Sequence, residues 1–192
     1  MKGGAYLITA YTWNYKRVFL NKNCATLFAN IIRLCKADMS FKVAGFSILD
    51  NHFHLLAYPK DNYGPQKIWE GLKKMSERHF AAIGAPGHAL WEDACHVESI
   101  RDQKDLELSL DYVHYDPVSH KLVRRPGDHS FSSFGSYLKR GHYDSCWGIK
   151  RPGYLGGVDY EYGAKQNPFI KLLPSFTRMY IKMRSELLTP AY

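Results

Sequence analysis

Two strand-like runs joined by only two residues restrict the fold of this chain more than any other feature of its sequence. Residues 41–49 (FKVAGFSIL) and 52–59 (HFHLLAYP) are rich in β-branched and aromatic residues, as strands usually are. Between them stand Asp50 and Asn51, two residue types that favour turns. So short a connection predicts an antiparallel hairpin, whose second strand begins directly after the turn.

Two histidines open the second strand of this hairpin. Because successive side chains of a strand point to opposite faces, His52 and His54 share one face, whereas Phe53 and Leu55 share the other. The two imidazoles are one strand repeat apart, close enough to hold one cation. On its own, however, a His-x-His pair is common and is better explained as two polar residues on a solvated strand face. The pair becomes informative only with a partner elsewhere in the chain.

The order of the predicted elements gives the fold class. Residues 4–13 form a first strand, residues 23–36 an amphipathic helix with Asn23 as its N-cap, residues 65–82 a second helix, and residues 96–100 a fourth strand. This order is typical of a ferredoxin-like (RRM-like) α+β sandwich, an antiparallel four-stranded sheet with these helices packed on one face. Many functions share that fold, so it does not by itself indicate an activity.

A third helix is predicted to begin at Asp102, an N-cap residue. Its buried stripe consists of apolar residues: Leu106, Leu110 and Val113. Tyr112 and Asp116 are four residues apart and therefore lie on one side of this helix. Pro117 is predicted to end it, since the residue before a proline is disfavoured in helical conformation. Asp116 would then lie at a helix C-terminus, where carbonyl dipoles disfavour a carboxylate unless a cation binds it.

Beyond this helix the pattern is weaker, and it predicts two parts. We expect one domain over residues 1–140, with a short helix over residues 131–137. Residues 141–192 form a C-terminal extension whose role the sequence does not indicate. Residues 169–188 mix apolar and basic residues and predict a closing helix in that extension.

The charge balance indicates a nucleic-acid partner without requiring one. The chain has 26 basic and 18 acidic residues, a formal charge of +8, and 15% aromatic residues. Basic side chains attract phosphates, and exposed aromatic rings can stack on unpaired bases. Two stretches supply the candidate DNA-binding residues, although a solvated helix face also explains the first: Lys67, Lys73, Lys74 and Arg78, and then Lys121, Arg124 and Arg125.

Composition also restricts the location. No apolar run is as long as a membrane span, and the N-terminus lacks a signal-peptide pattern. The four cysteines form no C-x-x-C pair, which argues against a cysteine zinc site. We expect a cytoplasmic protein that is associated with the nucleoid if it binds DNA, and either a monomer or a homodimer.

Two motifs together resemble a known family. The strand motif HFH (residues 52–54) is followed by the helix motif DYVHYDPV (residues 111–118). In this order they resemble the REP-associated tyrosine transposases, the single-tyrosine branch of the HUH endonucleases related to small insertion-sequence transposases. The resemblance extends over most of residues 4–140 and includes Trp91, IRD (residues 100–102) and DHSFSS (residues 128–133). Residues 141–192 resemble nothing informative.

The resemblance implies an activity and assigns residues to it. It places a divalent metal, Mg²⁺ or Mn²⁺, on His52 and His54, with the third ligand four residues after the catalytic tyrosine, at Asp116. Members of the family usually have an amide there, so the carboxylate is a departure that adds charge. The nucleophile falls on Tyr112, with Tyr115 as its nearest rival. The implied enzyme cleaves single-stranded DNA near hairpins through a covalent 5′-phosphotyrosine and can rejoin strands.

Two other functions fit the same residues. One is a non-catalytic ferredoxin-like module that binds nucleic acid through exposed aromatic residues on its sheet. Such a module has no need for Tyr112 and Asp116 at helical spacing opposite a histidine pair. The other is a metal-dependent phosphodiesterase in which water attacks and no covalent adduct forms.

Overall fold

A four-stranded antiparallel sheet forms the centre of the molecule. The computed structural model describes residues 4–60, 64–84 and 90–155. The strands are Ala5–Tyr11 (β1), Lys42–Ile48 (β2), His52–Tyr58 (β3) and His96–Ile100 (β4). They are arranged in the order β2-β3-β1-β4, and each pair is antiparallel. The predicted hairpin and the ferredoxin-like α+β class are therefore confirmed.

Four α-helices accompany the sheet in the described part of the chain: Lys22–Asp38 (α1), Pro65–Ala82 (α2), Gln103–Ser119 (α3) and Phe134–Lys139 (α4). The N-cap of α1 is Asn21, whose side chain accepts a hydrogen bond from the backbone N–H of Asn23 at 2.9 Å. The prediction that Asn23 itself is the cap is wrong, because the cap lies two residues earlier and the helix begins at Lys22. Asp102 caps α3 as predicted, accepting from the N–H of Asp105.

The two faces of the sheet are covered by different helices. Phe53 and Leu55 of β3 belong to the main core with α1 and α2, so these helices pack on one face as predicted. Leu56, on the alternate face, packs instead with Val113 of α3. His52 and His54 share that face, and their exposed fractions are only 1% and 2%. The expectation of a solvated histidine face is wrong, because α3 covers it.

The third helix does not end at Pro117. It continues to Ser119, with the proline buried inside it. The backbone N–H of His120 still donates to the carbonyl of Asp116 at 2.9 Å, and the Pro117 carbonyl accepts from Leu122 at 3.0 Å. A proline removes one helical hydrogen bond, and the helix is retained here because tertiary packing outweighs that loss. Asp116 therefore lies in the last turn of the helix, three residues before its final residue Ser119.

Residues after α3 pack back onto the domain. Tyr143 and Tyr154 both donate hydrogen bonds to Asp111 of α3, at 2.9 and 2.8 Å. Leu155 belongs to a small cluster with Leu108 and Tyr115. The division at residue 140 stays a prediction, but residues 141–155 contact α3 directly. The short helix predicted over 131–137 is present as α4 but begins three residues later, at Phe134. The closing helix predicted over 169–188 lies outside the described residues. No helix in the described part has the length and apolar content to cross a membrane.

Candidate active site

The site lies between the histidine face of β3 and the helix α3. Strand β3 is the second strand of the hairpin and pairs with β1 on its other side, with His54 opposite Thr9 and His52 opposite Tyr11. Alternation along the strand turns both imidazoles toward α3. Because β3 is flanked by strands on both edges, the positions of the histidines are fixed by the sheet rather than by a loop.

Helix α3 supplies the remaining groups from successive turns. Asp116 is fully buried, and its Oδ2 lies 3.0 Å from Nε2 of His54 and 3.4 Å from Nε2 of His52. The hydroxyl of Tyr112 lies 3.2 Å from the same Nε2 of His54. The structure thus brings together the four residues to which the resemblance assigns catalysis and metal binding.

The second nitrogen of each histidine is held by an oxygen. Nδ1 of His52 lies 2.7 Å from Oδ1 of Asn51, and Nδ1 of His54 lies 2.8 Å from Oγ1 of Thr9. Were a metal bound, the Asn51 oxygen, accepting from Nδ1, would keep the proton of His52 there and leave the lone pair of Nε2 for the ion. Histidines that bind metals are commonly oriented in this way by a partner on the other ring nitrogen.

The site combines one buried carboxylate with two buried imidazoles. Burial alone would raise the pKa of Asp116, but hydrogen bonds from His52 and His54 and the charge of nearby imidazoles hold it well below its ordinary value. Burial lowers the pKa of His52, although the Asp116 hydrogen bond opposes this. A carboxylate and a neutral imidazole are both acceptors, so a cation is the group that satisfies them together.

Two observations test whether a metal would fit. Oδ1 of Asp116 is buried and makes no hydrogen bond within the described residues. Nε2 of His120 approaches it to 3.6 Å, beyond hydrogen-bonding distance. Ligand atoms of His52, Asp116 and His120 all lie within 4.8 Å of one another, a separation that a shared divalent ion can span. The donor set of His52, Asp116 and His120 therefore fits a metal, and Nε2 of His54 lies 3.0 Å from Oδ2 of the same carboxylate.

His120 is the site residue that the sequence reasoning missed. It lies four residues after Asp116 and eight after Tyr112, so the three side chains follow one side of α3. The spacing is visible in the sequence, but the expected helix end at Pro117 removes His120 from that side. Its ring lies 5.0 Å from that of His52, centroid to centroid.

Two other tyrosines need to be distinguished from Tyr112. Tyr115 is 7% exposed and packs with Leu108 and Leu155 in the cluster on another side of α3. Tyr11 stacks on His52, with ring centroids 5.0 Å apart, and burial raises the pKa of its hydroxyl, reinforced by the charge of Asp116. Tyr112 is half-buried and is the tyrosine whose hydroxyl contacts a candidate ligand histidine.

The predicted DNA-binding residues fall in two places. Those on α2 accompany a helix that packs on the face of the sheet opposite the histidines: Lys67, Lys73, Lys74 and Arg78. Of these, Lys73 is half-buried and pairs with Asp93. The second group follows α3 and is exposed: Lys121, Arg124 and Arg125. Only this group directly follows the helix that carries Tyr112 and Asp116, and Arg125 is engaged with Asp128 at 2.9 Å.

Comparison with known proteins identifies relatives over most of the chain. A family model described as "Transposase IS200 like" matches residues 5–116, more than half of the sequence. A REP-associated tyrosine transposase of Escherichia coli strain K12 is 27% identical over 148 residues, which cover 77% of this chain and 86% of that protein. A relative from Haemophilus influenzae is 28% identical over 162 residues and is covered to 89%.

A solved structure has a similar fold. It is that of a REP-associated tyrosine transposase bound to a REP hairpin, and it superposes with a TM-score of 0.67 at 24% sequence identity. The match covers 79% of this chain and 90% of that protein. At this identity the likeness is one of fold.

Proposed function

This chain belongs to the IS200-like transposase family, and on that premise we propose that it is a metal-dependent transesterase that cleaves single-stranded DNA beside hairpins. The proposed nucleophile is the hydroxyl of Tyr112. The product of cleavage is a 5′-phosphotyrosine adduct, which conserves the energy of the phosphodiester bond. The same enzyme can then rejoin strands without ATP.

One contact carries this proposal. Nε2 of His54 lies 3.2 Å from the Tyr112 hydroxyl and 3.0 Å from Oδ2 of Asp116. A candidate nucleophile is therefore one hydrogen bond away from a candidate metal ligand. A hydroxyl and a cation-binding group so close together are what in-line attack on a phosphodiester requires.

The proposed step is a balanced exchange of two ester bonds. The Tyr112 oxygen attacks phosphorus, the bond from phosphorus to the 3′ oxygen breaks, and the phenol proton is lost while the leaving oxygen gains one. No oxidant or reductant is needed. In the reverse direction a 3′ hydroxyl attacks the phosphotyrosine and releases the enzyme. A neutral phenol is a poor nucleophile, so the position of the Tyr112 hydroxyl against the phosphate is decisive.

His52, His54 and Asp116 would hold the metal, with His120 as an additional ligand. A divalent cation bound there would neutralise charge on a non-bridging oxygen of the phosphate. The chain's own contribution is to fix the ligands: Asn51 and Thr9 orient the two strand histidines, and the buried carboxylate is held ionised. A carboxylate favours Mg²⁺ and Mn²⁺, whereas the imidazoles favour Mn²⁺ of the two.

Hairpin DNA is the proposed partner. A relative of similar fold is bound to a REP hairpin, and this chain carries a formal charge of +8. We propose that Lys121, Arg124 and Arg125 contact phosphates near the site, since they follow the helix that bears the nucleophile. The basic residues of α2, being on the opposite layer, would contact DNA only where it extends around the domain.

The decisive experiment is incubation with hairpin-bearing single-stranded DNA and Mn²⁺, followed by a denaturing gel. A covalent protein–DNA band supports the proposal. Cleaved DNA without a covalent band would favour the phosphodiesterase in which water attacks, and the same pocket would serve it. Binding without cleavage would favour the non-catalytic module.

A further inference from the structure

An exposed aromatic segment lies immediately beyond the end of β1. We call residues 12–16 the β1 loop. Its backbone is fixed on two sides: the N–H of Trp13 donates to the carbonyl of Leu90 at 3.0 Å, and the N–H of Asn14 donates to Oε1 of Glu92 at 2.8 Å. The hydroxyl of Thr12 donates to the carbonyls of Asn51 and Lys16 at 3.0 and 2.6 Å. The loop is therefore a rigid platform.

This rigid loop presents aromatic rings to solvent. Trp13 is 38% exposed and Tyr15 is 44% exposed, although large aromatic side chains are usually more deeply buried in folded proteins. Asn14 and Tyr15 both have φ of 52°, in the left-handed region that bulky residues rarely adopt. Backbone strain of this kind is retained mainly where a site requires it. Folding alone does not account for an exposed ring held at a strained position.

The loop is continuous with the candidate active site through a series of ring contacts. The rings of Tyr15 and Tyr11 meet edge to face at 5.4 Å between centroids. Tyr11 in turn stacks on His52 at 5.0 Å, with the planes 28° apart. Tyr15 is thus two ring contacts away from a proposed metal ligand. A nucleotide adjoining a phosphate at that ligand would have its base close to this loop.

We propose that Trp13 and Tyr15 form a subsite that stacks an unpaired nucleobase next to the phosphate presented to Tyr112. The inference rests on the proposed DNA substrate. A base is favoured over other occupants because the platform combines aromatic faces with the basic residues Lys16 and Arg17, which follow it directly. Arg17 is also held in place, by an ion pair with Asp50 in the turn before His52. Aromatic rings beside basic groups are the usual means of holding single-stranded nucleic acid.

The subsite contributes orientation as well as affinity. Stacking tolerates any base, because every base has a π-face, so this platform fixes how the strand runs and not its sequence. A base held at Tyr15 also limits rotation of the neighbouring phosphate. The single-stranded flank of a hairpin would therefore enter the site in one direction, past the β1 loop.

The test compares two DNA ligands with and without a single-stranded flank. Binding of a fluorescent hairpin carrying a flank and of the same hairpin with a blunt end is measured by anisotropy in EDTA, so that no cleavage occurs. Tyr15→Asn removes the ring and is suited to positive φ, so the fold is preserved. We expect it to weaken binding of the flanked hairpin about tenfold and to leave the blunt hairpin unchanged.

Matched variants complete the test. Tyr15→Phe keeps the ring and should bind like the wild type, and Trp13→Ala should resemble Tyr15→Asn. Leu34→Ala, which removes a side chain that is 50% exposed on α1, is the control for loss of apolar surface. Equal affinities of wild type and Tyr15→Asn for the flanked hairpin, or an equal loss for both hairpins, would overturn the subsite. These binding measurements are independent of the covalent-adduct assay on the wild type, and that assay tests the proposed function itself.

Discussion

The Tyr112 hydroxyl lies 3.2 Å from Nε2 of His54, across the gap between α3 and β3. The two residues are 58 positions apart in the chain, and neither motif predicts the distance. Asp116 reaches the same nitrogen from the next turn of the helix at 3.0 Å. The proposed nucleophile and the carboxylate therefore both contact one nitrogen of a candidate metal ligand.

Tyr112→Phe should abolish both cleavage and the covalent adduct. It removes one oxygen from a half-buried ring, so the fold should lose about 1 kcal/mol or less. The measurement is the denaturing gel, with thermal melting as a check on folding. Tyr115→Phe is the control, because that ring packs in the cluster with Leu155 and should leave the adduct intact. Near-normal cleavage by Tyr112→Phe would mean that water or another tyrosine attacks.

His54→Ala should abolish cleavage and leave most of the DNA affinity. The imidazole is a proposed metal ligand, whereas DNA binding is expected to depend mainly on phosphate contacts elsewhere. Cleavage and binding are measured separately, the latter by anisotropy without metal. A variant that is folded and still cleaves would remove His54 from the metal site.

His120→Ala should weaken Mn²⁺ binding by about tenfold or more. Removing a residue that only orients a metal ligand already lowers metal affinity by about that factor. The readout is electron paramagnetic resonance of free Mn²⁺, which does not depend on activity. His142→Ala, at an exposed histidine, should bind like the wild type. Unchanged affinity in His120→Ala would restrict the site to His52, His54 and Asp116.

Asp116→Asn tests the carboxylate itself. The amide retains an oxygen donor but loses the charge, so the affinity for Mn²⁺ should fall while cleavage is recovered at higher metal concentration. Titration of cleavage against Mn²⁺ checks this. Complete inactivity at saturating metal, in a folded variant, would show that the charge is needed for more than metal binding.

Salt dependence should distinguish the two groups of basic residues. Lys121→Ala should lower the slope of log affinity against log salt by about one unit for any DNA that reaches the site. Lys74→Ala, on the opposite layer, should do so only for hairpin-bearing DNA long enough to extend around the domain. An affinity that does not change between low and moderate salt would contradict the nucleic-acid partner altogether.

Acid should destabilise the domain through His114. Its buried ring lies 2.7 Å from the Ser133 hydroxyl and 3.0 Å from that of Tyr143, and burial lowers its pKa from 6.5 to about 3. The unfolded state therefore takes up a proton first, so stability present above pH 6.5 is lost as the pH falls toward 3. Between pH 6 and 4.5 the loss should be about 1.4 kcal/mol per pH unit. The free energy of unfolding of His114→Gln, measured with urea at each pH, should fall less steeply as the pH is lowered.

Local rules account for much of this molecule. Alternation along residues 52–59 predicts that His52 and His54 share a face, and four-residue spacing predicts that Tyr112 and Asp116 share a helix side. The short turn predicts the hairpin, and the order of elements predicts the sheet. These features follow from the periods of strand and helix, which are properties of the backbone and are visible in any stretch of sequence.

The burial of the histidine pair, the length of α3 and the layer occupied by α2 depend on tertiary packing. Helix α3 covers the histidine face and so buries a pair that the strand pattern alone would leave solvated. This covering depends on packing between Leu56 and Val113, which are far apart in the sequence. Packing also carries α3 through Pro117, and this brings His120 to the site against the local preference of proline. The placement of α2 on the opposite layer separates its basic residues from Tyr112, the proposed nucleophile. Local preferences are worth a few kcal/mol at most, and contacts between distant segments outweigh them where a core is formed.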